Sequence, residues 1–152
     1  MQRTITSFHL DALNDWVAKL DCHHNQHVRH KPPFFNRLWT QSEEGRASML
    51  GTRLDCVRCD QLEFPEGLHE YKRTPDFTES TIPAGLLRDH SMKPGVWGLI
   101  RIEEGSLVYT VQLPEERSFL LTAESPGVVV PEMKHNVRAT APVRFHVAFF
   151  RA

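Results

Sequence analysis

Apolar and polar residues alternate along two short segments near the start of the chain. Residues 4–9 and 16–20 each have the pattern of a strand, and the polar run from Asp11 to Asp15 separates them. Alternation with a short polar break predicts an antiparallel hairpin. The second strand leads directly into Cys22.

The next stretch loses this alternation. Residues 31–39 contain two adjacent prolines, which lack backbone donors and keep the chain extended, so no helix is expected there. We expect the aromatic side chains of this stretch to cover a small core. Thr40 and Glu43 have the spacing of a capping box, which predicts a helix over residues 41–50. Gly51 then suits the position just after the helix.

Beyond this helix the apolar runs are short and β-like. Residues 60–69 are polar and contain Pro65 and Gly67, and we place a domain boundary there. Strands are predicted at 96–103, 106–112, 118–122, 127–131, 135–139 and 143–150. Gly105 lies between the first two and predicts a hairpin turn. Short strands with regular turns are typical of a small barrel or sandwich.

We therefore expect a mainly β protein. Residues 1–68 would form a small zinc-binding module with a hairpin, an extended segment, a short helix and a Cys-x-x-Cys knuckle. Residues 69–152 would form a cupin-like antiparallel β-barrel. This division leaves two short domains, which suits a chain of 152 residues.

Composition narrows the class of protein. The 152 residues are 40% hydrophobic and 24% charged, which is typical of soluble globular proteins. Neither an apolar run long enough for a membrane span nor the apolar core of a signal peptide occurs, so a cytoplasmic protein is predicted. The net charge of −1 gives no overall preference for nucleic acid. A local basic stretch consists of Arg29, His30, Lys31 and Arg37.

Cysteine and histidine positions predict a metal site. Three cysteines without a secretion signal argue against a disulfide framework. Cys56-x-x-Cys59 is a metal half-site, and Cys22-x-His24 can supply the other half. Structural zinc takes four nitrogen or sulfur ligands in a closed tetrahedron. Because so short a module buries little apolar surface, the free energy of zinc binding would become free energy of folding.

The identity of the histidine ligand stays open at this point. His23, His27 and His30 all compete with His24. His27-x-x-His30 would place two imidazoles on one face of a helical turn, which also suits zinc. The alternative to any metal site is that the cysteines are free buried thiols.

Four runs in this half carry a family resemblance. CHHNQHVRH, PPFFNRLW, EEGR and LDCVRCD resemble a small bacterial domain family of unknown function. That family is marked by Cys-Gly-His-x-Gln-His-Val-Arg-His followed by Cys-x-x-Cys-Asp, and the likeness covers residues 5–68. His23 stands where the family has glycine. Histidine adopts positive φ less readily than glycine, so a different turn is expected. The resemblance implies no activity.

A second set of candidate ligands lies in the C-terminal half. His90 precedes the turn at Pro94, and His135 follows a turn that contains Glu132. Two imidazoles and a carboxylate can hold a divalent metal with open positions. His90, Glu132 and His135 would form such a set if the strands bring them together. Each also has an ordinary structural interpretation, as turn histidine, strand-end histidine or solvated carboxylate.

The same half resembles a cupin-like family. FTESTIPAGLLRDHSMKPGVWGLIRIEEGSLVY, VVVPEMKHNVRA and VRFHVAFFR are similar to the TehB N-terminal/YeaR family, over residues 71–151. The resemblance implies a small antiparallel β-barrel, a link to tellurite resistance and stress, a homodimer, candidate ligands at His90, Glu132 and His135, and Trp97 as pocket wall. The His-x-His pair and glutamate of standard cupins are missing, and no methyltransferase segment is present.

Three functions are compatible with these patterns. The first is a metal-binding stress protein whose barrel holds a second divalent metal and a small ligand such as an oxyanion. The second is a metal-dependent enzyme, either an oxygenase or a small-molecule hydrolase. The third is an interaction or nucleic-acid module that uses the HVRHK and PPFF segments. The balanced charge ranks the third last, and the sequence leaves enzymatic activity undecided.

Overall fold

The structure, a computed structural model, describes residues 1–152. Two units are distinguished, Met1–Arg58 and Cys59–Ala152, and the helical turn that carries Cys59 spans the division. The helices are α1 (Glu43–Met49) and α2 (Val57–Asp60), with 3₁₀ turns at Leu38–Gln41 and Ala84–Leu86. The strands are β1 (Gln2–Leu10), β2 (Trp16–Leu20), β3 (Asn25–His27), β4 (Arg53–Asp55), β5 (His69–Arg73), β6 (Phe77–Thr78), β7 (Trp97–Gly105), β8 (Leu107–Val111), β9 (Arg117–Leu121), β10 (Gly127–Val129), β11 (His135–Arg138) and β12 (Val143–Arg151).

The protein is mainly β, as the sequence predicts. No helix combines the length and the apolar character needed to cross a membrane. The cupin-like barrel and the boundary after residue 68 stay predictions.

The first unit is built on a four-stranded sheet in the order β3-β2-β1-β4. The predicted hairpin is present, with β1 and β2 antiparallel and Leu10 opposite Trp16. Ile5, Val17 and Leu20 are buried on this sheet. Strand β3, which the sequence pattern did not indicate, extends the hairpin on the other side of β2.

Helix α1 begins at a different cap from the predicted one. The Ser42 hydroxyl accepts a hydrogen bond from the backbone N–H of Gly45 at 3.0 Å, so Ser42 is the N-cap. Thr40 lies in the preceding 3₁₀ turn and is buried, which explains why it does not cap the helix. Gly51 follows the helix with φ +82°, the left-handed conformation expected there.

The aromatic residues before α1 do not form one core layer. Trp39 packs against Phe8, with ring centroids 5.7 Å apart. Phe34 is 80% exposed and Phe35 is 48% exposed, at a turn closed by a bridge between Lys31 and Phe35. The expectation of a covered core therefore holds for Trp39 and is wrong for Phe34.

The second unit consists of two antiparallel sheets. One has the order β10-β7-β12-β5, with β6 also paired to β12, and the other has the order β11-β8-β9. The central strands β7 and β12 pair along most of their length, with Phe145 opposite Ile102. All six strands predicted between residues 96 and 150 are present.

The predicted hairpin at Gly105 is wrong. Strands β7 and β8 do not pair with each other and belong to different sheets. Gly105 ends β7 opposite Val143, with φ +78°, and a Cβ there would lie 2.0 Å from the carbonyl oxygen of Pro142. The glycine is required because the chain turns from one sheet to the other at a point with no room for a side chain.

Candidate metal centre and ligand cavity

Strand β1 brings the two predicted half-sites together. Its beginning pairs with β4, Gln2 opposite Asp55, and its Ile5 lies opposite Leu20 at the end of β2. The chain leaves both β2 and β4 at this same end of β1. The residues just beyond those strand ends, Cys22 and Cys56, are therefore placed side by side.

The cysteine–histidine cluster, Cys22, His24, Cys56 and Cys59, is fully buried. The four ligand atoms lie within 4.8 Å of one another. His24 Nδ1 lies 3.5 Å from Cys22 Sγ and 3.3 Å from Cys56 Sγ, and the two sulfurs are 3.9 Å apart. With metal–sulfur bonds of about 2.3 Å, a tetrahedron places two sulfurs roughly 3.8 Å apart. The cluster thus fits one tetrahedral metal ion.

The structure places His24 in the cluster and the rival histidines elsewhere. His27 Nε2 contacts Asp11 Oδ2 at 2.8 Å and the side chain is half exposed. His30 Nδ1 accepts a hydrogen bond from the backbone N–H of Arg37 at 3.1 Å. Of the four adjacent histidines, only His24 joins the three cysteines.

The turn between β2 and β3 holds the first half-site. The backbone N–H of His23 donates to the Leu20 carbonyl at 2.9 Å, and that of Leu20 donates to the His24 carbonyl at 3.0 Å. His23 has φ +74°, the left-handed conformation that glycine adopts most readily. The residue that departs from the family pattern therefore keeps a glycine-like backbone.

The second unit contains a cavity of about 430 Å³. Its walls are mostly apolar and come from β5 to β7, β10 to β12 and the loop before β7. Among the lining residues are both predicted histidines, His90 and His135.

His90 and His135 form a pair. They lie opposite each other in an isolated antiparallel bridge, with backbone hydrogen bonds of 3.0 and 2.9 Å and ring centroids 4.1 Å apart. His90 Nδ1 lies 3.0 Å from the Arg88 carbonyl oxygen, and His135 Nδ1 lies 3.0 Å from that of Met133. Because a carbonyl only accepts, each Nδ1 carries a proton, and the neutral ring keeps its lone pair on Nε2.

Burial keeps His135 neutral. Removal from water lowers the pKa of His135 to about 4, and the nearby His90 ring lowers it further while the Met133 carbonyl opposes the shift. Tyr109 packs edge-on to His135 at 5.8 Å, and its hydroxyl donates to the Val128 carbonyl at 2.8 Å. Burial also raises the pKa of Tyr109. The Asp89 carboxylate opposes the lowering of the His135 pKa, so burial is the dominant cause of that lowering.

Two other predicted residues lie outside the cavity. Glu132 lies in the turn before β11, with φ +64°, and is exposed, whereas Met133 and His135 are buried. Trp97 is fully buried and packs against Phe64, with ring centroids 5.7 Å apart. Neither residue is among those that line the cavity.

Sequence reasoning missed two cationic lining residues. Lys93 follows His90 by three positions, and Lys72 lies on β5. A lysine in a polar stretch has no distinctive pattern, so only the position of Lys93 next to His90 could have indicated its role.

Comparison with known proteins finds two family matches. Residues 6–63 match a family described as a protein of unknown function (DUF3565), and residues 72–147 match the TehB-like domain. Both resemblances stated from the sequence are confirmed.

Similar individual proteins match somewhat more than half of the chain. The uncharacterized protein YeaR of Escherichia coli K12 is 28% identical over 100 residues, which is 60% of this chain and 84% of YeaR. A crystal structure of an E. coli K12 protein matches with a TM-score of 0.54 and 28% identity, over 59% of this chain and 95% of that chain. TehB from Haemophilus influenzae matches with a TM-score of 0.52 and 24% identity, over 57% of this chain and 32% of TehB, a likeness that shows the fold alone.

Proposed function

We propose that this chain, which belongs to the TehB-like domain family, is a metal-binding protein related to tellurite resistance. A structural zinc ion would hold the first unit, and a second divalent metal in the cavity would bind a small anionic ligand. The observation that carries the proposal is the histidine pair, His90 and His135, which lines the cavity with both Nδ1 atoms on backbone carbonyls.

The cysteine–histidine cluster supports a structural role for zinc. Three thiolates and one imidazole are a ligand set that zinc favours, and they leave no position for a substrate. The cluster is buried on all sides, which restricts ligand exchange. A zinc ion in the cluster would therefore stabilise the fold of a short chain segment and would not take part in catalysis.

The histidine pair supports the second metal site. Carbonyl partners on Nδ1 are the usual arrangement behind metal-bound histidines, because they fix the tautomer and the ring orientation. Two protein ligands leave several coordination positions for exogenous groups. When bound, a divalent metal would supply Lewis acidity toward an anionic ligand. Glu132 has no assigned role in this site because it lies outside the cavity.

The electrostatics of the cavity favour an anion. Its lining includes Lys72 and Lys93 and contains no aspartate or glutamate. An oxyanion such as tellurite, which family membership suggests, carries the matching charge. A homodimer, as the family resemblance implies, stays a prediction.

A metal-dependent enzyme is the second candidate. It is favoured by the same open pair inside a mostly apolar cavity, where a bound substrate would be shielded from water. Purified protein loaded with iron or manganese that consumes oxygen, or turns over a substrate, would favour this candidate. Zinc-only protein without turnover would count against it.

Elemental analysis of the purified protein tests the proposal. We expect two metal ions per chain, one of them zinc. His135→Ala should lose the cavity metal and retain the zinc, whereas exposed His69→Ala serves as a matched control that retains both. Unchanged metal content in His135→Ala would refute the cavity site.

A further inference from the structure

We propose that the ligand of the cavity is an organic acid with an apolar body and one anionic head group, rather than a bare inorganic oxyanion. The inference rests on the proposed function in one respect only, since it places the head group at the histidine pair. The family match does not specify any class of ligand for the cavity.

The cavity is large enough for an organic ligand. Its volume of about 430 Å³ lies within the range of pockets that bind organic ligands. An inorganic oxyanion occupies only a few times the ~30 Å³ share of one water molecule. Such an anion at the histidines would leave most of the cavity without an occupant.

The walls of that remaining space are hydrocarbon. Aromatic and aliphatic side chains line it from the central strands, namely Ile100 on β7 and Phe145, Val147 and Phe149 on β12, which alternate along one face. Phe77 on β6 packs against Phe145, with ring centroids 5.6 Å apart. Such walls hold water poorly, because ordered buried water needs polar partners. The apolar part of a ligand would make van der Waals contacts with these side chains, which an empty cavity does not provide.

The lining of the cavity contains lysines but no carboxylates. Lys72 and Lys93 line the cavity, and neither forms an ion pair with a carboxylate of the chain. Lys93 lies in the loop that begins at His90, so one cation and the histidine pair belong to the same part of the lining. A single carboxylate head group matches this arrangement, with the body directed toward the aromatic wall.

Matched probes test the inference on the full chain by isothermal titration calorimetry. The probes are 3-phenylpropionate, propionate (head group alone), 3-phenylpropan-1-ol (body alone) and tellurite. Burying a phenyl ring removes on the order of 100 Å² of apolar surface from water, so 3-phenylpropionate should bind at least about tenfold more tightly than propionate. It should also bind more tightly than the alcohol and than tellurite.

Two variants locate the binding. Lys93→Met should weaken binding of 3-phenylpropionate about tenfold and leave the alcohol unchanged, since it removes one charge next to the head group. Val147→Phe should weaken 3-phenylpropionate and leave propionate unchanged, because the larger ring fills the space of the body. Circular dichroism checks that Val147→Phe is folded, and Val137→Phe offers a second filled cavity.

The outcomes separate this inference from the proposed function. Equal affinity for 3-phenylpropionate and propionate, or tighter binding of tellurite, would overturn the organic-acid inference even if the cavity metal is present. Tight binding of 3-phenylpropionate without a cavity metal would support the inference and refute only the metal site.

Discussion

The two candidate sites of this molecule differ in how many ligands the chain supplies. The cysteine–histidine cluster brings four ligand atoms within 4.8 Å of one another and buries all of them. The histidine pair supplies two rings at the lining of a cavity of about 430 Å³. A closed site ties chain segments together, whereas an open site leaves positions for another molecule.

The difference also appears in how each site is built. The cluster joins residues far apart in sequence, Cys22 and Cys56, through the ends of two strands that flank β1. The pair joins His90 and His135 through one isolated bridge, in a unit that has its own two sheets. Loss of the closed site should therefore affect folding, and loss of the open site should affect binding.

The largest expected effect comes from Cys56→Ser. Removing one thiolate should release the metal and unfold the first unit, because structural zinc in finger peptides contributes roughly 10–16 kcal/mol of apparent binding free energy. The strand signal of the second unit should persist in circular dichroism and in NMR spectra. Joint loss of both units in one transition would contradict separate folding.

His24→Ala should come next. Loss of a direct ligand should lower metal affinity by more than the ~100-fold that loss of an outer partner costs. His27→Ala is the matched control, since its ring contacts Asp11 on the surface and should leave the affinity unchanged. A competition titration with a zinc chelator measures both. Equal losses in the two variants would contradict the assignment of His24.

Acid should destabilise the metal-free second unit through His135. Its pKa is about 4 in the folded chain and about 6.5 when unfolded, so the unfolded chain binds more protons between these values. The free energy of unfolding should fall by about 3 kcal/mol as the pH drops from 6.5 to 4, and the contribution of this group should level off below pH 4. Chemical denaturation at several pH values measures this fall. His135→Gln should show a correspondingly smaller fall, and an equal fall in both proteins would refute the role of His135.

The smallest effect should come from His23→Gly. Residue 23 has φ +74°, a conformation that costs a histidine about 1 kcal/mol or more relative to glycine. The glycine variant should be more stable by about 0.5–1 kcal/mol in denaturant unfolding of the metal-bound protein. Decreased stability would show that contacts of the His23 side chain outweigh the backbone strain.

Much of the fold was predictable where side-chain alternation coincides with one buried face. Strand β8 is an example, since Leu107, Tyr109 and Val111 are buried and the residues between them are not. Strand β5 was missed because four of its five residues are exposed and charged or polar side chains dominate it. Its pairing with β12 supplies backbone hydrogen bonds that leave no pattern in the sequence.

The candidate sites were predictable to different degrees for a similar reason. Cys56-x-x-Cys59 is a local motif, and the spacing of its two cysteines alone predicts metal binding. The choice among four histidines depended on a turn at His23 that spacing does not reveal. Glu132 and Trp97 were proposed for the cavity by resemblance, but Glu132 is exposed in a turn with positive φ and Trp97 packs against Phe64.

X-ray absorption at the zinc edge of the purified protein tests whether the cysteine–histidine cluster holds a structural zinc ion. The spectrum is recorded on the His135→Ala variant, so that no metal ion in the cavity contributes to it. We expect three sulfur neighbours at about 2.3 Å and one nitrogen at about 2.0–2.1 Å. A shell dominated by nitrogen or oxygen, or protein that contains no zinc, would contradict this expectation.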